Sequence, residues 1–187
     1  MWCLILTFSG KISDFAHKFQ LIIFGKVYYI MRISLLCIGK TDDREIISLI
    51  NYFLPRLPKH WNFEIVEIAD VKNAKNLSPD LLKKEEAKLF LNHIDKNDLV
   101  LLLDEKGKQY TSREFSQKID SWMNLSVKKI NILIGGAYGF SDEIYARSSE
   151  KMSLSKMTFT HQMIRLFIVE QLYRADQILQ GKPYHND

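Results

Sequence analysis

Two periods of apolar residues exchange along the chain from Met31 onward. Ile33–Ile38 is apolar apart from Ser34 and predicts a strand, and Asp42-x-x-Glu45 reads as a capping box for a helix ending near Pro55. Phe63–Ile68 alternates apolar and acidic residues, as a half-exposed strand does. A basic loop, Lys72–Asn76, leads to Ser78-Pro79, an N-cap followed by proline at the first helical position, and the helix runs to about His93. Leu99–Leu103 is wholly apolar, the mark of a strand buried on both faces, and Asp104-Glu105-Lys106-Gly107 reads as the turn that ends it. Thr111-x-x-Glu114 caps a helix to about Asn124, and Lys129–Ile134 is a second buried strand. After it come the glycine turn Gly135-Gly136-Ala137-Tyr138-Gly139, a short helix from Asp142 to Ser148, a short strand at Met152–Ser155 and one long apolar helix. Strands and helices in this alternation predict one α/β domain, a mostly parallel sheet flanked by helices on both faces.

Residues 1–30 follow a different pattern. Trp2–Phe8 is apolar but short, without a preceding basic residue or a small-x-small cleavage site, and Lys26 interrupts the run Phe19–Ile30. The expectation is that the functional protein begins at Met31 and that residues 1–30 are an extension outside the fold, with 31–187 the working domain. A membrane-associating leader is the rival reading, and the shortness of both runs counts against it.

Composition narrows the chemistry by exclusion. With 187 residues, 47% hydrophobic and 26% charged, the chain can bury a core and is not of disordered type. Half of the net charge of +4 lies in residues 1–30 (Lys11, Lys18 and Lys26 against Asp14), so any nucleic-acid surface must be local. Two cysteines, Cys3 and Cys37, are too few for a disulfide framework or a cysteine metal site and suit a reducing cytoplasm. The five histidines show no metal-ligand spacing, and neither a P-loop nor a G-x-S-x-G elbow is present. No metal is expected.

What remains is the C-terminal third. In parallel sheets, ligands bind beyond the carboxyl ends of the strands. Gly135 and Gly136 at such an end either let a ligand lie against bare backbone or simply make a tight turn. On the last helix His161 and Arg165 share one face, with Glu170 and Arg174 nearly opposite. Glu170–Arg174 reads as a structural pair. His161 suits a hydrogen bond to the preceding turn, and a buried Arg165 requires an anionic or carbonyl partner.

Five segments in order carry a resemblance: Leu133-Ile134-Gly135-Gly136-x-x-Gly139, Leu154-Ser155-x-Met157-Thr158, His161-x-x-x-Arg165, Glu170-Gln171-Leu172-Tyr173-Arg174-Ala175 and Pro183-Tyr184-His185. Across Met31–Asp187 the chain resembles the RlmH (YbeA-like) family of SPOUT methyltransferases. Thr160 departs from it, standing where the family often has proline. The resemblance implies a C-terminal deep trefoil knot, a homodimer, and methyl transfer from S-adenosyl-L-methionine to N3 of a pseudouridine in large-subunit ribosomal RNA on assembled ribosomes, in the cytoplasm and without a membrane. The cofactor site it implies comprises Leu103, Asp104, Gly135, Gly136, Ser155, Lys156, Met157, Thr158, Phe159 and Thr160. Tyr184, His185 and Arg165 are the catalytic candidates, His185 as proton acceptor or substrate-orienting group, with Arg174 nearby. Lys72, Lys75, Lys83, Lys84 and Arg113 are the expected phosphate contacts. A non-catalytic flavodoxin-like nucleotide-binding module and a SPOUT enzyme of transfer RNA are the alternatives.

Overall fold

The computed structural model describes residues 20–23 and 26–182, with side chains from residue 30 onward. Strands β1 (Gln20–Ile23) and β2 (Lys26–Tyr29) form an antiparallel hairpin that is a sheet of its own. The elements that follow are β3 (Arg32–Ile38), α1 (Arg44–Phe53), β4 (Glu64–Ile68), α2 (Pro79–Leu91), β5 (Leu99–Gln109), α3 (Ser112–Asn124), β6 (Lys129–Ile134), α4 (Asp142–Arg147), β7 (Glu150–Ser153) and α5 (His161–Leu179). The five later strands make one sheet in the order β4-β3-β6-β5-β7, and every pairing in it is parallel.

Successive strand residues face opposite sides, so each strand feeds two cores. Ile33, Leu35 and Cys37 of β3, Leu101 of β5 and Ile130, Ile132 and Ile134 of β6 meet Phe115, Ile119 and Trp122 of α3 and Ile168, Val169, Leu172 and Ala175 of α5. On the other face Leu36, Val100, Leu102 and Leu133 meet Ala87 and Phe90 of α2, Ile144 of α4 and Phe140. α5 lies between α1, through Leu166 against Ile46 and Ile50, and α3. Among the described residues no helix is long and apolar enough to cross a membrane.

Local signals hold in most places. Thr111 and Glu114 form a full capping box, and Ser78 caps α2 with Pro79 in its first turn. Other expectations are corrected. The cap of α1 is Asp43, which accepts from the Ile46 N–H, not Asp42. α2 ends at Leu91, and β7 begins and ends two residues earlier than expected.

The larger correction is Asp104–Gly107, which is not a terminating turn. β5 continues through it to Gln109, and its pairing with β7 slips: Met152 is opposite both Leu103 and Lys108. The intervening residues bulge out of the ladder. At Gly107 the strand crosses so close to β7 that a Cβ would lie 2.5 Å from the Met152 backbone, so only glycine fits.

Candidate functional site

The register of the sheet brings the point where β5 begins its bulge level with the ends of β6 and β7. Leu103 pairs with Ile134 on one side and with Met152 on the other. Beyond them opens a cleft of about 510 Å³, walled by the β5 bulge, the glycine turn after β6, the loop after β7 and the start of α5. Of the residues expected at a cofactor site, Leu103, Asp104, Gly135, Gly136, Ser155, Met157, Thr158 and Phe159 line it. Lys156 and Thr160 do not. Thr160 is instead the N-cap of α5, its hydroxyl accepting from the Met163 N–H at 3.3 Å. A smaller depression of about 390 Å³ adjoins the cleft, sharing Met152, Ser153, Leu154 and Phe159 with it and extending to Tyr110 and Phe167.

Each wall has its own local cause. The bulge presents Asp104, whose Oδ1 accepts from the Lys106 N–H at 2.7 Å and whose Oδ2 accepts a short hydrogen bond from the Tyr145 hydroxyl of α4. Burial, then the bond to Asp104, pushes the Tyr145 phenol up to about 12, so it stays a donor at neutral pH. In the glycine turn, Gly139 at φ +75° lets its N–H return to the Gly136 carbonyl at 3.0 Å. The loop after β7 is shaped by Ser153 donating to the Ser155 carbonyl at 2.7 Å and by Ser155 Oγ accepting from the Met157 N–H at 2.9 Å. Met157, Tyr138 and Phe159 leave apolar surface exposed at the rim.

Two residues at the site were not among those expected there. His161 lines the cleft, and its ring donates to the Gly135 carbonyl. Burial, and then the charge of Arg165, lowers its basicity against the pull of that carbonyl, so the ring is held toward the neutral form. Glu86 of α2 stands behind the turn and accepts from the Gly136 N–H. A carboxylate on an otherwise buried helix face was the available signal for it.

Arg165 is placed away from the cleft wall, at the carboxyl end of β3. It is 2% exposed and donates to the Ile38 carbonyl at 2.7 Å, the Gly39 carbonyl at 3.2 Å and Thr41 Oγ1 at 2.8 Å, with Glu67 at 3.7 Å. Burial would raise the Glu67 carboxyl, but the hydrogen bonds from Thr41 and the charge of Arg165 outweigh it and hold the group below its ordinary range. Arg174 is bonded to Glu170 at 2.7 Å, the pair expected from spacing. Lys72, Lys75 and Lys84 are exposed, and Lys83 pairs with Asp80. Tyr184 and His185 lie outside the described residues. The Cys37 thiol is pushed up to about 12 by burial, which removes it as a nucleophile.

The cleft's chemistry is mixed in a useful way. Leu103, Ile134 and Phe159 offer apolar surface to a flat ring, bare glycine backbone permits close approach, and Asp104 and Glu105 offer negative charge to a cation. Its volume falls in the usual range for small-ligand sites, about 300–1,000 Å³. Among the described residues no group of three or more His, Cys, Asp or Glu side chains could hold a metal ion.

Comparison with known proteins follows the same line. A family model described as "Predicted SPOUT methyltransferase" matches residues 31–185. Curated relatives include the ribosomal RNA large subunit methyltransferase H of Christiangramia forsetii, 49% identical over 83% of this chain and 99% of that one. The protein of the same name from Cytophaga hutchinsonii is 49% identical over 83% and 100%, and that from Parabacteroides distasonis 46% over 84% and 100%. Among solved structures, a probable methylase family protein from Haemophilus influenzae Rd KW20 superposes with a TM-score of 0.52 over 81% of this chain and 67% of that one. At 11% identity the likeness is one of fold.

Proposed function

Since this chain belongs to the SPOUT methyltransferase family, together with the ribosomal RNA large subunit methyltransferase H proteins, we propose that it methylates large-subunit ribosomal RNA. The acceptor in this proposal is N3 of a pseudouridine, the substrate is the assembled ribosome in the cytoplasm, and the methyl donor is S-adenosyl-L-methionine. Residues 31–187 form the methyltransferase domain and residues 1–30 an extension outside it.

The observation that carries the reading is the cleft where the β5 bulge meets the ends of β6 and β7. Eight of the residues assigned to a cofactor by resemblance come together there, from segments as far apart as Leu103 and Phe159. The donor supplies, when bound, a methyl group already activated as a sulfonium. Leu103, Ile134 and Phe159 suit its adenine, the Gly135–Gly136 backbone its close approach, and Asp104 or Glu105 its positive charge.

The chain's remaining task is orientation and one proton. In-line positioning accounts for much of the rate in such a transfer. The N3–H of the base is a weak acid and loses its proton at or before attack, and His185 takes that proton while Tyr184 helps seat the base. Arg165 serves by holding α5 to the end of β3, one turn beyond His161. The strand order β4-β3-β6-β5-β7, with α5 returning over the sheet, is compatible with a C-terminal deep trefoil knot. The exposed apolar rim beside α5 favours a homodimer.

The test is methyl transfer from labelled S-adenosyl-L-methionine to purified ribosomes, set against free ribosomal RNA and against ribosomes lacking the pseudouridine. Transfer to intact particles alone, lost without the pseudouridine, is expected. Equal transfer to free RNA would overturn the substrate, and transfer to transfer RNA would overturn the class. Deleting Tyr184–Asp187 should abolish transfer while leaving cofactor binding, and full activity in the truncated chain would sink the role given to His185.

A further inference from the structure

α2 buries Leu82, Ala87 and Phe90, the last two against the sheet, and Glu86 falls on the same stripe, four residues from Leu82 and four from Phe90. It is 7% exposed. A carboxylate among apolar side chains is destabilising unless a donor meets it. Here the donor is the backbone N–H of Gly136. The other charge bearing on it is a second carboxylate, Asp70, which adds to burial in raising the Glu86 carboxyl above its ordinary range. The two residues also share space: a Cβ at Gly136 would lie 2.3 Å from Glu86 Oε1 and 2.5 Å from Oε2.

The Gly136 N–H and the Gly135 carbonyl belong to one peptide unit and, in a trans peptide, point in opposite directions. The carbonyl is taken by the ring of His161, at the head of α5. α2 lies on one face of the sheet and α5 on the other. The Gly135–Gly136 peptide is therefore gripped from both faces of the sheet at the point where it lines the cleft.

We propose that Glu86 and His161 clamp the Gly135–Gly136 peptide, and that Glu86, from outside the cleft wall, is a positioning residue for the ligand the cleft takes. Without the clamp the peptide is free to rotate and offer its N–H where its bare face should be. The inference rests on the cofactor reading above and names a residue that the reading did not use.

The experiment compares Glu86→Ala and Glu86→Gln with the parent full-length chain. The Gly136 amide proton is followed by NMR, and binding of S-adenosylhomocysteine by calorimetry. In Glu86→Ala the Gly136 signal moves upfield, its solvent exchange accelerates, and affinity falls about tenfold, the size of one lost hydrogen bond. Glu86→Gln keeps a neutral acceptor, so protection persists and affinity stays within about threefold. An unmoved Gly136 signal with unchanged affinity in Glu86→Ala overturns the proposal, as does an equal loss of stability in both variants with affinity intact. If Glu86→Ala does not fold, Glu86→Gln decides alone, because replacing a charged acceptor by a neutral one must still shift the Gly136 proton. The amide signal needs no ligand. A parent protein that fails to bind S-adenosylhomocysteine therefore sinks the cofactor reading and leaves the clamp standing.

Discussion

Arg165 and Glu86 are both charged, both buried and both tied to backbone at the carboxyl end of a central strand, yet their surroundings differ. Arg165 has two carbonyls, a hydroxyl and a carboxylate around its terminal nitrogens, and of its three nitrogens only Nε has no hydrogen-bond partner among the described residues. Glu86 has one backbone N–H and a neighbouring like charge. A buried charge that is well met contributes to the scaffold, because its removal strands several partners at once. One that is barely met contributes little net stability, and its value lies in the geometry it imposes. The first should be read out by unfolding and the second by binding.

The strongest way to break this contrast is Arg165→Met. It leaves the Ile38 and Gly39 carbonyls and Glu67 without their cation and should cost about 3 kcal/mol in denaturant unfolding. A loss equal to that of Glu86→Ala would erase the distinction. Next is Gly136→Ala, whose new methyl meets the Glu86 carboxylate. The collision should cost about 1–3 kcal/mol. Adding Glu86→Ala should return part of that stability without restoring ligand affinity, a non-additivity that only residues in contact show. Thr160→Ala removes the cap of the helix that carries both His161 and Arg165, and a loss of about 1 kcal/mol is expected in thermal unfolding.

The smallest effect is in pH. The unfolded chain protonates His161 near its ordinary value of 6.5 and the folded chain only below it, so the histidine's contribution is complete above that pH and declines as pH falls. Glu86 runs the other way: its folded carboxyl is raised, so stability declines as pH climbs from its ordinary value of 4.5 toward the raised one. His60, lowered by burial, shares the first sign. The difference between the parent and His161→Phe in urea unfolding from pH 7 to 5 isolates the clamp's part, and identical slopes would remove it.

How much of this could be read from residues alone depended on the range of the interactions involved. Periodicity and caps are local, so β6, the Thr111–Glu114 box and the Ser78-Pro79 start were legible. The cap of α1 was displaced by one because Asp42 and Asp43 offer the same oxygen, and only the backbone path chooses between them. Asp104–Gly107 has the composition of a turn, yet it is a bulge within β5 and does not end it, because the strand returns at Lys108 to the Met152 backbone, a partner far along the chain. The cleft was legible where a resemblance named its residues, but the contributions of Glu86 and His161 were not, because each acts on a peptide remote in sequence. Thr160 shows the converse: where the family often has proline, a hydroxyl here serves as a helix cap.

The double pairing of Met152 has a mechanical consequence. A four-residue edge strand held by one ladder can slip along its neighbour, carrying every side chain to the wrong face. β7 is held at two stations of β5, Leu103 and Lys108, with Gly107 pressed against its backbone between them. Sliding would have to break both stations together, so β7 acts as a fixed post. The loop that leaves it at Leu154 therefore starts from a strand paired at two stations and ends at the cap at Thr160, so both of its ends are fixed by named contacts.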